Sequence, residues 1–182
     1  MEYYEKIKLK DGRDCILRNG TENDAHAVLE NFKLTHAQTD WLLTYPDECG
    51  FTEESEAAFL VKKAQSRNEI EILAEINGII AGTAGINCLG KHEKIKHRAE
   101  FGISIDRAYW GLGIGRALTE ACVKCAKKAG YVQLELAVVA DNLKALSLYE
   151  SLGFQEFGRN PLGFRSRLSG WQEQVMMRLE LN

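Results

Sequence analysis

The segment Ile103-Ser104-Ile105-Asp106-Arg107-Ala108-Tyr109-Trp110-Gly111-Leu112-Gly113-Ile114-Gly115-Arg116-Ala117-Leu118 constrains this chain more than any other. A strand-like run enters a short turn with three alternate glycines, and the turn opens an amphipathic helical pattern. Glycines at such a junction let backbone N–H groups approach a ligand closely, and the helix N-terminus adds partial positive charge. The combination suits a phosphate or pyrophosphate. Two nucleotide-binding forms are excluded by their own spacing. A P-loop needs Lys followed by Ser or Thr, and Arg116-Ala117 follow these glycines instead. A dinucleotide fingerprint needs GxGxxG directly after the strand, but the sixth position is Arg116 counted from Gly111 and Leu118 counted from Gly113. A glycine-rich connection without a ligand stays open on this segment alone.

The flanking sequence predicts the layers around that turn. Ile7–Lys10 and Cys15–Leu17 read as short strand pieces around Asp11-Gly12. Thr21-Glu22-Asn23-Asp24 opens a helix through Phe32, and a second helix starts at Thr52, with Glu53, Glu54 and Glu56 in its first turn. Glu69–Ile76 and Ile79–Asn87 form a hairpin around Asn77-Gly78, and His97–Ile105 is the next strand. A helix over Arg116–Ala129, a buried strand over Val132–Val139 and a short helix capped by Asp141 and ending at Gly153 follow. The last two strands, Gln155–Arg159 and Gln172–Leu181, are joined by a loop containing Pro161, Gly163 and Gly170. This order predicts an α/β (α+β) fold: a mixed, mostly antiparallel central sheet flanked by helices. At 182 residues the chain fits one domain, 1–182.

Composition limits the function classes. Hydrophobic residues at 45% and charged residues at 27% exclude a disordered chain, and a net charge of −3 gives no pull towards nucleic acid or an anionic membrane. No apolar run approaches the roughly 18–20 residues needed to span a bilayer, and the charged start MEYYEKIKLKDGR lacks a secretory h-region. Five cysteines without framework spacing suit a reducing, cytoplasmic setting. Cys122 and Cys125 lie on the apolar stripe of their helix and read as buried small hydrophobes. His26, His36, His92 and His97 have no metal-ligand spacing, so no metal is expected.

A second motif narrows the glycine turn's meaning. In Asp141-Asn142-Leu143-Lys144-Ala145-Leu146-Ser147-Leu148-Tyr149-Glu150-Ser151-Leu152-Gly153-Phe154, helical spacing aligns Asn142, Ala145, Tyr149 and Leu152 on one stripe. An amide, a small residue and a phenol there suit a thin thioester arm with an O–H near its tip. With Trp110-Gly111-Leu112-Gly113-Ile114-Gly115 and this helix in the same order, the chain resembles the GCN5-related N-acetyltransferases, which move an acetyl group from acetyl-CoA to an amine. Trp110 departs from the pattern, since the family usually has Arg or Gln there.

The resemblance implies an acyl-CoA N-acyltransferase fold with acetyl-CoA as cofactor. Main chain at Ile103, Ser104 and Ile105 would pair with the pantetheine arm. Amides over Gly111, Leu112, Gly113, Ile114, Gly115, Arg116 and Ala117 would hold the pyrophosphate, with Arg116 as a cationic aid, and Asn142, Ala145 and Tyr149 would line the arm. Tyr149 matches the position of the thiolate's acid. Glu100 is the candidate base, because period-2 alternation places Glu100, Gly102 and Ser104 on one strand face. An ion-paired Glu100, for instance with Arg98, is the competing reading. Trp41 and Tyr45 fall where the family borders its acceptor groove. Six acids and no Lys or Arg lie between Asp40 and Glu56, while Arg159, Arg165 and Arg167 occur without an acid between Phe157 and Trp171. The expected acceptor is a small-molecule amine, with Trp41, Tyr45 and Arg165 binding it. A protein or peptide acetyltransferase, a non-catalytic acyl-CoA sensor and a nucleotide-binding protein are the alternatives. Edge strands near the C-terminus can support a homodimer.

Overall fold

Asn77 and Gly78 both adopt positive φ, 51° and 80°, and turn β3 (Ile70–Ile76) into β4 (Ile79–Cys88). That conformation matches the twist of a two-residue hairpin, as the dipeptide predicts. The computed structural model, which describes residues 1–181, builds an eight-stranded sheet around this hairpin. β1 (Tyr4–Lys8) and β2 (Asp14–Asn19) lie on one side of it, in the order β1-β2-β3-β4. On the other side come β5 (Arg98–Ile105), β6 (Gln133–Val139), β8 (Gly170–Glu180) and, at the edge, β7 (Gln155–Ser166). Every neighbouring pair is antiparallel except β5 and β6. The sheet is therefore mixed and mostly antiparallel, as expected.

Alternation along the strands divides the core in two. Ile70, Ile72 and Ala74 of β3 join Phe101, Leu134, Leu136 and Val138 beneath α3 (Ile114–Lys128) and α4 (Leu143–Ser151). Leu73 and Ile80 face the opposite way and meet Val28 of α1 (Ala25–Gln38) and Leu60 of α2 (Glu53–Gln65). Ile114, Leu118, Ala121 and Cys122 of α3 are fully or almost fully buried, and each large apolar side chain so placed contributes about 1.5–3 kcal/mol. Cys122 and Cys125 are buried free thiols, and burial pushes both thiol pKa values up. No described helix is long and apolar enough to cross a membrane.

The elements depart from the sequence reading at four places. The Thr21–Asp24 capping box opens a 3-10 turn before α1 begins at Ala25. α3 begins at Ile114, two residues earlier than expected, because Gly113 at φ 101° serves as its N-cap. Asn142, not Asp141, caps α4: its Oδ1 accepts from Ala145 N–H at 3.3 Å. The stretch with Pro161 and Gly163 is strand rather than loop, since β7 runs to Ser166 and the connection to β8 is only residues 167–169. An edge strand tolerates proline, and the register slips between Asn160 and Phe164 to absorb it.

Candidate active site

The site begins where the sheet opens. β5 and β6 pair only over Arg98–Glu100 and Gln133–Glu135. Beyond that fork β5 follows β4 to Ile105, and β6 follows β8 to Val139. Asp106 N–H donates to the Ala81 carbonyl at 2.9 Å. Antiparallel hydrogen-bonding positions alternate, so the main chain of Ser104 and Gly102 also turns to β4. The amide and carbonyl groups of Ile103 and Ile105 therefore turn into the opening. Trp110 reaches the same place: its Nε1–H donates to the Ile105 carbonyl at 2.8 Å. The indole thus caps the end of β5.

The glycine turn lies beside this opening. Gly111 and Gly113 have φ of 78° and 101°, and a Cβ built on either would meet nothing within 4 Å. The backbone there borders open space in a conformation that side chains rarely allow. The first-turn N–H groups of Ile114, Gly115 and Arg116 have no intrahelical acceptor and point out of the helix end. Ala117 differs from the expectation, because its N–H donates to Gly113 O at 3.1 Å. The turn is held from behind by Lys10 N–H donating to Leu112 O at 3.1 Å, and by the Arg13 guanidinium over the Tyr109 ring. Gly115 lets α3 approach its neighbours, for a Cβ there would stand 3.3 Å from Leu148 and 3.5 Å from Ile105. Arg116 Nη2 donates to Ser151 Oγ at 2.6 Å, linking α3 to α4.

α4 supplies the phenol. Tyr149 is buried, its ring edge-on to Phe101 at 6.1 Å and tilted on Phe154 at 5.7 Å. Phe101 follows Glu100, the last β5 residue paired with β6, so the phenol sits by the fork. Among the described residues its hydroxyl makes no hydrogen bond. Desolvation raises its pKa, which keeps the proton on the oxygen. Asn142 and Ala145 are half-buried on the same stripe, with the Asn142 carbonyl oxygen committed to its cap.

Glu100 lies on the other sheet face and is exposed. The ion pair that competed for it goes elsewhere: Arg98 bonds Glu135, with Nη2 to Oε2 at 2.7 Å. Among the described residues Glu100 has no partner.

A second, more polar part of the surface is built from residues 36–48 and the β7–β8 turn. A groove of about 390 Å³ is lined by His36, Gln38, Asp40, Tyr45, Arg167 and Leu168 among others. Asp40 accepts from Ser166 Oγ (2.6 and 2.7 Å), Ser169 Oγ (2.7 Å) and Gln172 Nε2 (3.2 Å). Tyr45 Oη accepts from Arg167 N–H at 2.7 Å, and the Arg167 guanidinium covers the Tyr45 ring at 4.2 Å. Trp41 stacks on Trp110 with ring centroids 6.1 Å apart, and Gln38 Nε2 donates to Asp106 Oδ1 at 2.8 Å. Arg165 is not brought to this groove: it pairs in register with Trp171 and stacks over that ring at 5.5 Å. Ser166, its neighbour, faces Asp40, so alternation sends Arg165 to the other face. The acidic and basic stretches also neutralise each other, since Arg167 bonds Asp47 and Glu48. Gln38 was missed as a groove residue, and Asp40 and Arg167 appeared in the sequence only as members of charged stretches, because nothing local marks them individually. Their partners are more than 60 residues away in sequence.

A fork in a mixed sheet, where β5 main-chain groups turn into the opening and a glycine-capped helix N-terminus faces it, defines a protein built to receive an extended phosphate-bearing cofactor arm. Residues 35–154 match the Acetyltransferase (GNAT) family model, and the chain belongs to that family. It is 37% identical over 122 residues to N-alpha-acetyltransferase RimI of Mycobacterium tuberculosis, an alignment covering 67% of this chain and 73% of that protein. Among solved structures, a GNAT-family acetyltransferase from Streptococcus pneumoniae superimposes with a TM-score of 0.87 at 28% identity, covering 91% of this chain and 99% of the other. The fold is also that of yncA from Salmonella typhimurium, a putative acetyltransferase solved with acetyl-CoA (TM-score 0.80, 19% identity, 92% and 94% covered). The chain is an acyltransferase of the N-acetyltransferase type, and acetyl-CoA is its donor.

Proposed function

We propose that the protein acetylates a primary amine of a small metabolite, with Tyr149 as acid and Glu100 as base. The observation that carries this reading is the Tyr149 phenol: buried beside the fork, without a hydrogen-bond partner among the described residues, and held protonated by desolvation. The chain's residues fit the donor. The Ile103 main chain and the Ile105 N–H offer strand-like pairing to an extended arm, and the open cradle at Gly111 and Gly113 leads to the amides of Ile114, Gly115 and Arg116. Bound there, acetyl-CoA supplies an activated acyl group to an amine. An alkylamine at neutral pH is mostly ammonium and must lose a proton before it can act as nucleophile. Glu100, exposed and unpaired on the face turned to α1, takes that proton. Tyr149 Oη holds the proton that a leaving thiolate needs.

The groove bounded by Asp40, Tyr45 and Arg167 is of small-ligand size, which favours a metabolite over a protein. A protein N-terminus is the second reading, favoured by the similarity to the mycobacterial N-alpha-acetyltransferase. A thiol-release panel of polyamines, amino acids, aminoglycosides and short peptides separates them. Turnover confined to peptides would replace the first reading with the second. Calorimetry without binding of CoA or acetyl-CoA would remove both.

A further inference from the structure

Glu71 is a carboxylate with no part in the chemistry proposed for Tyr149 and Glu100. It stands on β3 in one row with Gly85 of β4 and Gly102 of β5. Its carboxylate lies across Gly85: a Cβ built there would come within 2.2 Å of Glu71 Oε2. The next position, Gly102, would find nothing within 4 Å of a Cβ. Two successive glycines thus leave a side-chain-free path from the Glu71 carboxylate to the strand that borders the fork, a distance of about one strand spacing, ~5 Å. Glu100 flanks that path, on the same face of β5 as Gly102. Any residue larger than glycine at 85 would displace the carboxylate, and one at 102 would fill the open end.

We propose that Glu71 is the proton-relay residue behind Glu100, receiving the acceptor ammonium's proton through water over Gly85 and Gly102. The proposal rests on the acetyltransferase reading. The ammonium N–H bond breaks, with its electron pair left on nitrogen, and the proton passes by Glu100 or water to a Glu71 carboxylate oxygen. Glu71 later returns it to solvent along the same path, so no co-reactant is required. Glu71 acts through water rather than by touching substrate.

The surroundings suit the task. Desolvation raises the Glu71 carboxyl to about 7, opposed by the Lys63 ammonium and the neighbouring Thr83 hydroxyl and assisted by the Glu56 charge. A proton acceptor works best with a pKa near the working pH. Lys63 and Glu56 come from α2, and Thr83 from β4. Lys63 is itself bonded to Glu69, the Ile86 carbonyl and Asn87. On the far side of the sheet the Glu71 charge helps keep the buried Cys122 thiol protonated. α1 contributes no charge to it.

The test reads the carboxyl directly. Infrared difference spectra of the protein, titrated from acid to neutral pH, should show a protonated-carboxyl band with a near-neutral midpoint that Glu71→Gln abolishes. With acetyl-CoA and glycinamide as probes, Glu71→Gln should lower kcat about tenfold. It should also remove the acid limb of the kcat profile and leave calorimetric CoA binding unchanged. Thr83→Val keeps the carboxyl but removes the neighbouring hydroxyl that favours its ionised form, so the band and the limb should both move to higher pH. If Glu71→Gln misfolds, Thr83→Val decides alone. Glu71→Gln with the parent's kcat profile, or Thr83→Val with an unmoved band and limb, overturns the relay. Absence of CoA binding by the parent protein instead overturns the acetyltransferase reading.

Discussion

The two halves of the site are held by different forces. On the cofactor side, α3, β5 and α4 are fixed by buried apolar packing and backbone geometry: Ile114, Leu118 and Tyr149 are buried, and Gly113 and Gly115 fit where larger residues would strain or crowd. On the side proposed for the acceptor, residues 39–48 are fastened to the β7–β8 turn by side-chain hydrogen bonds and exposed ion pairs around Asp40 and Arg167. Packing is non-directional and cumulative, whereas each polar tie depends on one or two atoms and is weakened by water and salt. On the proposed function, the first arrangement is a fixed receptor for the shared cofactor, and the second can be altered for a different acceptor without disturbing the core.

The largest break in that comparison is expected at Gly113→Val. A β-branched residue at φ 101° costs about 1–3 kcal/mol of backbone strain and tilts the first-turn amides of α3. CoA affinity by calorimetry should fall at least about a hundredfold, in keeping with loss of several backbone donors. Affinity unchanged within a factor of two would mean that the helix end is not the anion's receptor. Tyr149→Phe is next: removal of an acid lowers kcat by about 10²-fold or more while CoA binding persists. Equal losses of binding and turnover would make the phenol a packing residue only.

How much of each half could be read in the sequence follows from the same division. Cofactor-side residues are close in the chain, so Gly111, Gly113, Gly115 and the Asn142–Tyr149 spacing announce themselves. Even there, local hydrogen bonding shifted details: Ala117 spends its amide inside the helix, and Asn142 rather than Asp141 is the cap. The acceptor side is made by pairings across the chain. Pro161 and Gly163 looked like loop residues, yet an edge strand accommodates both, and that extra strand length decides that Ser166 faces Asp40 while Arg165 faces away. Glu71 was invisible for another reason. A glutamate in an alternating strand looks like a solvent-facing residue, and only the register reveals two glycines beside it.

A smaller, more selective effect is expected at Asp40→Ala. The change strands the hydroxyls of Ser166 and Ser169 and one amide N–H of Gln172 without their acceptor. Lost hydrogen bonds to a charged group are worth about 1.5–3 kcal/mol each at most, and water replaces part of that at a half-exposed site. KM for the amine should rise about tenfold, with CoA affinity unmoved. A parallel loss of CoA affinity would show that the halves are coupled, through the Trp41–Trp110 stack and the Gln38–Asp106 bond.

The smallest effect is expected at Arg167→Ala, and it tests the polar character of the acceptor side most directly. The guanidinium bonds both Asp47 oxygens at 2.9 Å, approaches Glu48 at 3.4 Å and covers Tyr45, but both ion pairs stand at the surface. Exposed pairs contribute little and fade as ionic strength rises, because the screening length falls from about 10 Å at 0.1 M salt to about 3 Å at 1 M. The variant should raise KM for the amine about two- to threefold at low salt. The parent protein should drift towards the variant's KM as salt is added, leaving little difference near 1 M. Tyr45 keeps its bond from the Arg167 backbone in the variant, so the turn itself stays in place. A variant that loses affinity equally at all salt concentrations would mean that the guanidinium acts by covering Tyr45 rather than by its charge, and would move the acceptor side towards the packed character of the cofactor side.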